Sequence, residues 1–267
     1  MQKLNIEVKL SLSIKIVNLR NVLFAIATLS IALPAVAQST DDGPRARDAD
    51  WMSYRDAYKT MLWFEKYGKP KNLIQLQLQV YSKDKNASAD SLRLHIVGKT
   101  THLDLSLDAL GRANLPLLKS AYDDNAELVV NQKNGQSVFQ FRSSILLRTD
   151  GIYEIADLRA ACEQTLAYQS SIDLSANRGK RCIGVRFVFA KKDQSALVEF
   201  KYLAQNTALP ILENTAAWSD TGPNFRTSNV IFGAPINMAS HTQVSPQIEK
   251  GQIHTRTSPL AIIALIE

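Results

Sequence analysis

Residues 92–107 read LRLHIVGKTTHLDLSL. Leu92, Leu94 and Ile96 alternate with Arg93 and His95, and Leu103, Leu105 and Leu107 alternate with His102, Asp104 and Ser106. A period of two sends successive side chains to opposite faces, so each half is a half-buried β-strand. Gly98-Lys99 between them is the Gly-X pair of a type II′ turn. That turn predicts a register with Leu92 opposite Leu105, Leu94 opposite Leu103, Arg93 opposite Asp104 and His95 opposite His102.

The same alternation recurs outward from this hairpin. In Leu73–Tyr81, Ile74, Leu76, Leu78 and Val80 take one side and Gln75, Gln77 and Gln79 the other, which reads as a solvated face. Asn134-Gly135 is the strongest hairpin signal in the chain, between strand-like 127–131 and 138–147. Further strands are expected over 183–189, 197–203, 229–232 and 260–266. Helical periodicity appears twice. Trp51, Tyr54, Tyr58, Met61 and Leu62 mark a helix near 50–67, with Asp50 as its cap and Gly68 and Pro70 as stop signals. Ile155, Leu158, Cys162 and Leu166 mark a second over 154–168, followed by a loop over 170–181. Strands outnumber helices and are joined by short turns. The expected class is α+β, mainly antiparallel, sandwich-like and hairpin-rich, with both helices packed on the sheets.

The N-terminus has a different character. Lys3, Lys9, Lys15 and Arg20 stand against Glu7, Val22–Leu33 is apolar or small throughout, and Pro34 and Ala35-Val36-Ala37 follow. This is the order of a secretory signal peptide cleaved after Ala37, with an apolar run too short to span a bilayer. Residues 38–48 then read as a disordered mature N-terminus. Residues 49–267 read as one β-rich region, with a division into 49–150 and 151–267 left open. Half of the formal charge of +6 leaves with the leader, so the basic balance is a poor argument for nucleic acid. The expected location is periplasmic or secreted, with no transmembrane segment after leader removal.

The two cysteines, Cys162 and Cys182, fit that compartment as one disulfide. Cys162 lies on the apolar stripe of the second helix and Cys182 opens the strand that ends at Phe189. The bridge would close a loop of about 20 residues, worth roughly 3 kcal/mol on chain entropy.

Residues 103–118, LDLSLDALGRANLPLL, carry Leu105, Leu107, Asp108, Gly111 and Leu115 in an order that resembles the middle of transthyretin-like and carboxypeptidase-regulatory-like β-sandwiches. The resemblance implies a strand, an acidic-Gly turn and another strand. It carries over no functional residue.

A search for chemistry returns little. There is no G-x-S-x-G, C-x-x-C, H-E-x-x-H, P-loop or G-x-G-x-x-G pattern. The expected register brings His95 and His102 together with Asp104 on the same side, two imidazoles and a carboxylate in reach of a Zn²⁺ or Cu²⁺ ion. A transition-metal site normally needs three or four ligands, and Arg93 competes for Asp104, so the reading adopted is a solvated face with an ion pair. No catalytic residue, cofactor or metal is assigned. The functional expectation is an exported, non-catalytic binding or envelope-accessory protein whose partner is an envelope protein or a small ligand. The alternative is a periplasmic hydrolase or metal-dependent enzyme with a scattered site.

Overall fold

The computed structural model describes residues 49–84, 91–218, 223–232, 243–244 and 250–267. The leader, its cleavage site, the 38–48 tail and His241 lie outside them. In chain order the elements are β1 (Ala49–Ser53), α1 (Tyr54–Glu65), β2 (Ile74–Ser82), β3 (Leu94–Val97), β4 (His102–Leu105), β5 (Arg112–Ala113), α2 (Lys119–Asp123), β6 (Glu127–Lys133), β7 (Ser137–Ile145) and β8 (Ile152–Glu154). They continue as α3 (Ile155–Ile172), α4 (Leu174–Asn177), β9 (Cys182–Phe189), β10 (Val198–Tyr202), β11 (Gln205–Leu209), β12 (Leu212–Ala216), β13 (Asn224–Phe232), β14 (Gln243–Val244), β15 (Gln252–Thr255) and β16 (Ala261–Ile266).

The fold is α+β and dominated by antiparallel sheet. One sheet has the order β1-β6-β3-β4, a second β11-β10-β15-β8, and the largest β12-β13-β9-β16-β7-β2-β5, with β14 added parallel to β13. Helix α1 buries Tyr54, Ala57, Met61 and Phe64, an i, i+3, i+7, i+10 stripe. It begins at Ser53, whose hydroxyl accepts from the Asp56 amide. Asp50 is therefore not the cap: it sits buried in β1, where its carboxylate accepts from the Ser137 amide. At the other end the Lys71 ammonium donates to the Phe64 and Glu65 carbonyls, which the end of a helix leaves without intrahelical partners.

Helix α3 packs on β9, β16, β7 and β2, four neighbouring strands of the large sheet. The expected disulfide is present: Cys162 of α3 is bridged to Cys182 of β9, with Cα atoms 6.0 Å apart. Farther along, the Gln164 side chain accepts from the Leu73 amide and donates to Asn72 just before β2. The helix runs on to Ile172 and α4 follows, so much of 170–181 is helical where the sequence indicated loop. Asp173 makes this possible by capping α4, its carboxylate accepting from the Ala176 amide.

Three further expectations change. The β3–β4 register pairs Leu94 with Leu105, His95 with Asp104, Ile96 with Leu103 and Val97 with His102. The connection is a four-residue loop, 98–101, closed by the Gly98 amide donating to the Thr101 carbonyl at 2.7 Å. The Asp124 carboxylate accepts from the Thr100 amide and holds the loop open beyond two residues. A slip of two residues keeps every side chain on its expected face, which is why alternation could not detect it. Next, Asn134-Gly135 does form a tight turn, with the Gln136 amide donating to the Lys133 carbonyl. Its flanking strands part, however, because β6 pairs with β1 and β3 while β7 takes a nine-residue ladder with β2.

The third change concerns the glutamine face, which is covered rather than solvated. Gln77 and Gln79 are buried: Gln77 donates to Asn114, and Gln79 donates to the Leu110 carbonyl and accepts from Arg142. A second, smaller core of Leu110, Val188, Ala217, Phe225, Ala261 and Ile263 lies on this face of the sheet. The Asp108–Gly111 turn brings Leu110 there. The Asp108 carboxylate accepts from the Leu110 and Arg112 amides, and Arg112 in turn donates to the Leu260 carbonyl.

Gly111 has φ +72°, and a Cβ there would stand 2.2 Å from the Val80 carbonyl oxygen. Gly135 has a similar φ of +78° and open space around it. Both alanine variants carry left-handed strain of about 1–3 kcal/mol, and Gly111→Ala must also push β5 off β2. Thermal denaturation of the protein is expected to show Gly111→Ala losing roughly 5–10 °C and at least twice the loss of Gly135→Ala. Equal losses would refute the close approach.

Candidate functional site: an aromatic cleft between two helix ends

The α1 and α3 stripes converge at their C-terminal ends. The Tyr168 ring meets Phe64 edge-on at 5.0 Å and Tyr67 at 5.3 Å between centroids. Beside this cluster opens a cleft of about 400 Å³, lined by Leu62, Trp63, Lys66, Tyr67, Tyr168 and Ser171. Trp63 is 69% exposed at its mouth. On the other side of Tyr168 lies a smaller hollow of about 130 Å³, walled by Phe141, Arg142, Gln169, Ile172 and Trp218. The sheet itself explains the hollow. β7 and β16 meet in register at a single position, Ile145 opposite Ile262. Side chains from both faces therefore reach one space: Phe141 from the helix-covered face, Arg142 from the other.

The tyrosines in this core divide into two kinds. Tyr54 donates to the Pro116 carbonyl at 2.6 Å and accepts from the Leu118 amide at 2.8 Å. Tyr153 accepts from the Arg148 amide. The hydroxyls of Tyr67 and Tyr168 are equally hidden and have no hydrogen-bond partner among the described residues. A buried hydroxyl without a partner costs roughly 1–3 kcal/mol, and these two belong to tyrosines whose rings touch and line the cleft. Burial also pushes their acidity down: the Tyr67 phenol titrates above its usual value and the Tyr168 phenol only at about 12. Both remain O–H donors across physiological pH. Ser171 cannot act as a nucleophile here, since its hydroxyl donates to the Tyr168 carbonyl at 2.6 Å. No His or carboxylate is among the described residues lining the cleft. The arrangement suits holding a molecule, with an apolar aromatic wall and a few convergent polar atoms.

The residues singled out for metal binding lie elsewhere. His95 Nδ1 is 2.7 Å from Asp104 Oδ1 across the β3–β4 ladder, in the place expected for Arg93. His102 is two pairs farther along, exposed and opposite Val97. Among the described residues, no group of three or more His, Cys, Asp and Glu side chains could hold a metal ion. Arg93 instead donates to the Leu92 carbonyl, and its amide donates to the Asn131 side chain. Two half-buried arginines also escaped the sequence reading. Arg142 lies over the Trp218 ring at 5.0 Å, and Arg186 donates to Asn229 and to the Ala216 carbonyl. Burial pushes both guanidinium groups below their usual value. Their partners are this protein's own backbone and side chains, so they fasten the 216–218 segment to the sheet.

No protein-family model, curated protein or solved structure matches this chain.

The contrast between tyrosines gives a direct test. Tyr54→Phe strands a buried amide and carbonyl and is expected to lose about 1–3 kcal/mol in denaturant melts. Tyr168→Phe removes an unsatisfied group and is expected to be neutral or stabilising. The pH dependence has a definite sign. Unfolding lets the Tyr168 phenol ionise at its ordinary value of 10.0 instead of about 12, so the unfolded state binds fewer protons there. Its contribution is fully present below pH 10 and is lost as pH rises toward 12. This part of the alkaline slope should vanish in Tyr168→Phe, and an unchanged slope would contradict the burial.

Proposed function

We propose that the chain is exported, loses residues 1–37, and works as a non-catalytic envelope protein that holds a small ligand in the α1–α3 cleft. The observation that carries this reading is an aromatic cleft, lined by Tyr67, Tyr168 and the exposed Trp63, whose volume of about 400 Å³ falls in the small-ligand range of roughly 300–1,000 Å³. Export is supported by the tripartite leader and by the Cys162–Cys182 bridge, which persists in oxidising compartments. No helix among the described residues is long and apolar enough to cross a membrane.

Native mass spectrometry of the protein recovered from the envelope, expressed with its own leader, tests both halves. The expected chain begins at Gln38 and carries a small non-covalent mass that is lost in Trp63→Ala. A membrane-retained chain with its leader would overturn export. The same bare mass in wild type and variant would overturn occupancy of the cleft.

A further inference from the structure

Four large apolar side chains among the described residues are more than half exposed: Trp63 (69%), Ile172 (57%), Leu174 (71%) and Leu203 (90%). Three of the four lie together. Trp63 lines the cleft with Ser171, while Ile172, the next residue, shares the smaller hollow with Thr60, one turn before Trp63 on α1. Leu174 opens α4 two residues farther on. Cations flank the same patch. Lys59 and Lys66 stand four residues before and three after Trp63, spacings that share a helix face, and both are exposed. Lys69 follows beyond the helix, and Arg178, Lys180 and Arg181 are exposed just after α4. Over 56–71 and 168–181 seven cations outnumber three carboxylates, a charge of +4. The Asp56 carboxylate, 3.7 Å from Lys59, is one of the three. Residues 38–267 as a whole carry +3, so the rest of that stretch is −1.

We infer that this patch docks on the surface of an anionic phospholipid bilayer. An apolar cluster flanked by cations matches the boundary between acyl chains and headgroups. Trp63, Ile172 and Leu174 enter the apolar side, and the ammonium and guanidinium groups meet the phosphates. A protein partner fits less well, since lysine is depleted in protein interfaces. A nucleic acid would reward the cations and leave Ile172 and Leu174 in water. The cleft mouth lies within the patch, but docking does not depend on the cleft being filled.

The test is co-sedimentation of the protein with vesicles of phosphatidylcholine alone or mixed with phosphatidylglycerol. Binding to the mixed vesicles is expected to be at least about tenfold tighter and to weaken as salt rises. Trp63 emission should shift to the blue on binding, a shift absent in Trp63→Phe. Trp63→Ser/Leu174→Ser and Lys66→Gln/Lys69→Gln/Arg178→Gln/Lys180→Gln are each expected to lose at least about tenfold in affinity for the mixed vesicles, with far-UV spectra unchanged. Leu203→Ser and Lys191→Gln/Lys192→Gln, which alter exposed residues at other turns, should bind as the wild type does. No binding to either vesicle, equal binding to both, or equal losses in the two control variants would overturn the inference. Tighter binding to duplex DNA than to the mixed vesicles would overturn it as well. None of these outcomes touches the cleft reading, which the retained ligand mass tests separately.

Discussion

The structure depends on α3 lying across an incomplete seam. The largest sheet is joined between β7 and β16 by one register pair, Ile145 with Ile262, and could not hold its two parts together by ladder hydrogen bonds alone. Helix α3 packs on two strands from each side of that seam. It is fixed covalently to β9 through Cys162–Cys182 and by side-chain hydrogen bonds to the start of β2 through Gln164. Burial of Ile155, Leu158, Ala161 and Cys162 against the sheet contributes the larger part of the holding energy. The covalent and polar ties set where along the strands the helix sits.

That placement has a consequence at the other end of the helix. Tyr168 arrives against Phe64 and Tyr67 at the end of α1, where the chain turns away at Gly68. Aromatic edge contacts fill the space, and the two phenol oxygens are buried without a hydrogen-bond partner among the described residues. Tyr54, at the opposite end of α1, shows that the same fold satisfies a buried phenol when the backbone of the loop between β5 and α2 is near. The unsatisfied pair therefore reflects where α3 ends, at the rim of a gap in the sheet.

The sequence made the local structure legible, and the layers much less so. Alternation in 92–107 and 73–81 named the strands and their faces, and 3.6-residue spacing named both helices. The disulfide followed from Cys162 on an apolar stripe. Alternation cannot say what covers a face: the glutamines of β2 look solvated until Leu110, Arg142 and Trp218 are brought over them from distant parts of the chain. Nor could a turn motif say where its strands go, as the parting of β6 and β7 after Asn134-Gly135 shows. The cleft was hidden for a related reason. Trp63, Tyr67 and Tyr168 carry no motif, and their meeting depends on how α3 crosses the sheet. The one available signal was an aromatic residue, Trp63, next to the buried stripe of α1 rather than on it.

The most direct measurement is hydrogen–deuterium exchange of the protein with the bridge intact and in Cys162→Ala/Cys182→Ala. If α3 is the clamp across the seam, loosening its tie to β9 should speed exchange in α3, in β16 and in the 143–145 end of β7. The effect should reach the 62–68 segment that forms the cleft and leave the β1-β6-β3-β4 sheet at its original rate. Faster exchange confined to 170–182, with the seam and the cleft unchanged, would contradict the account.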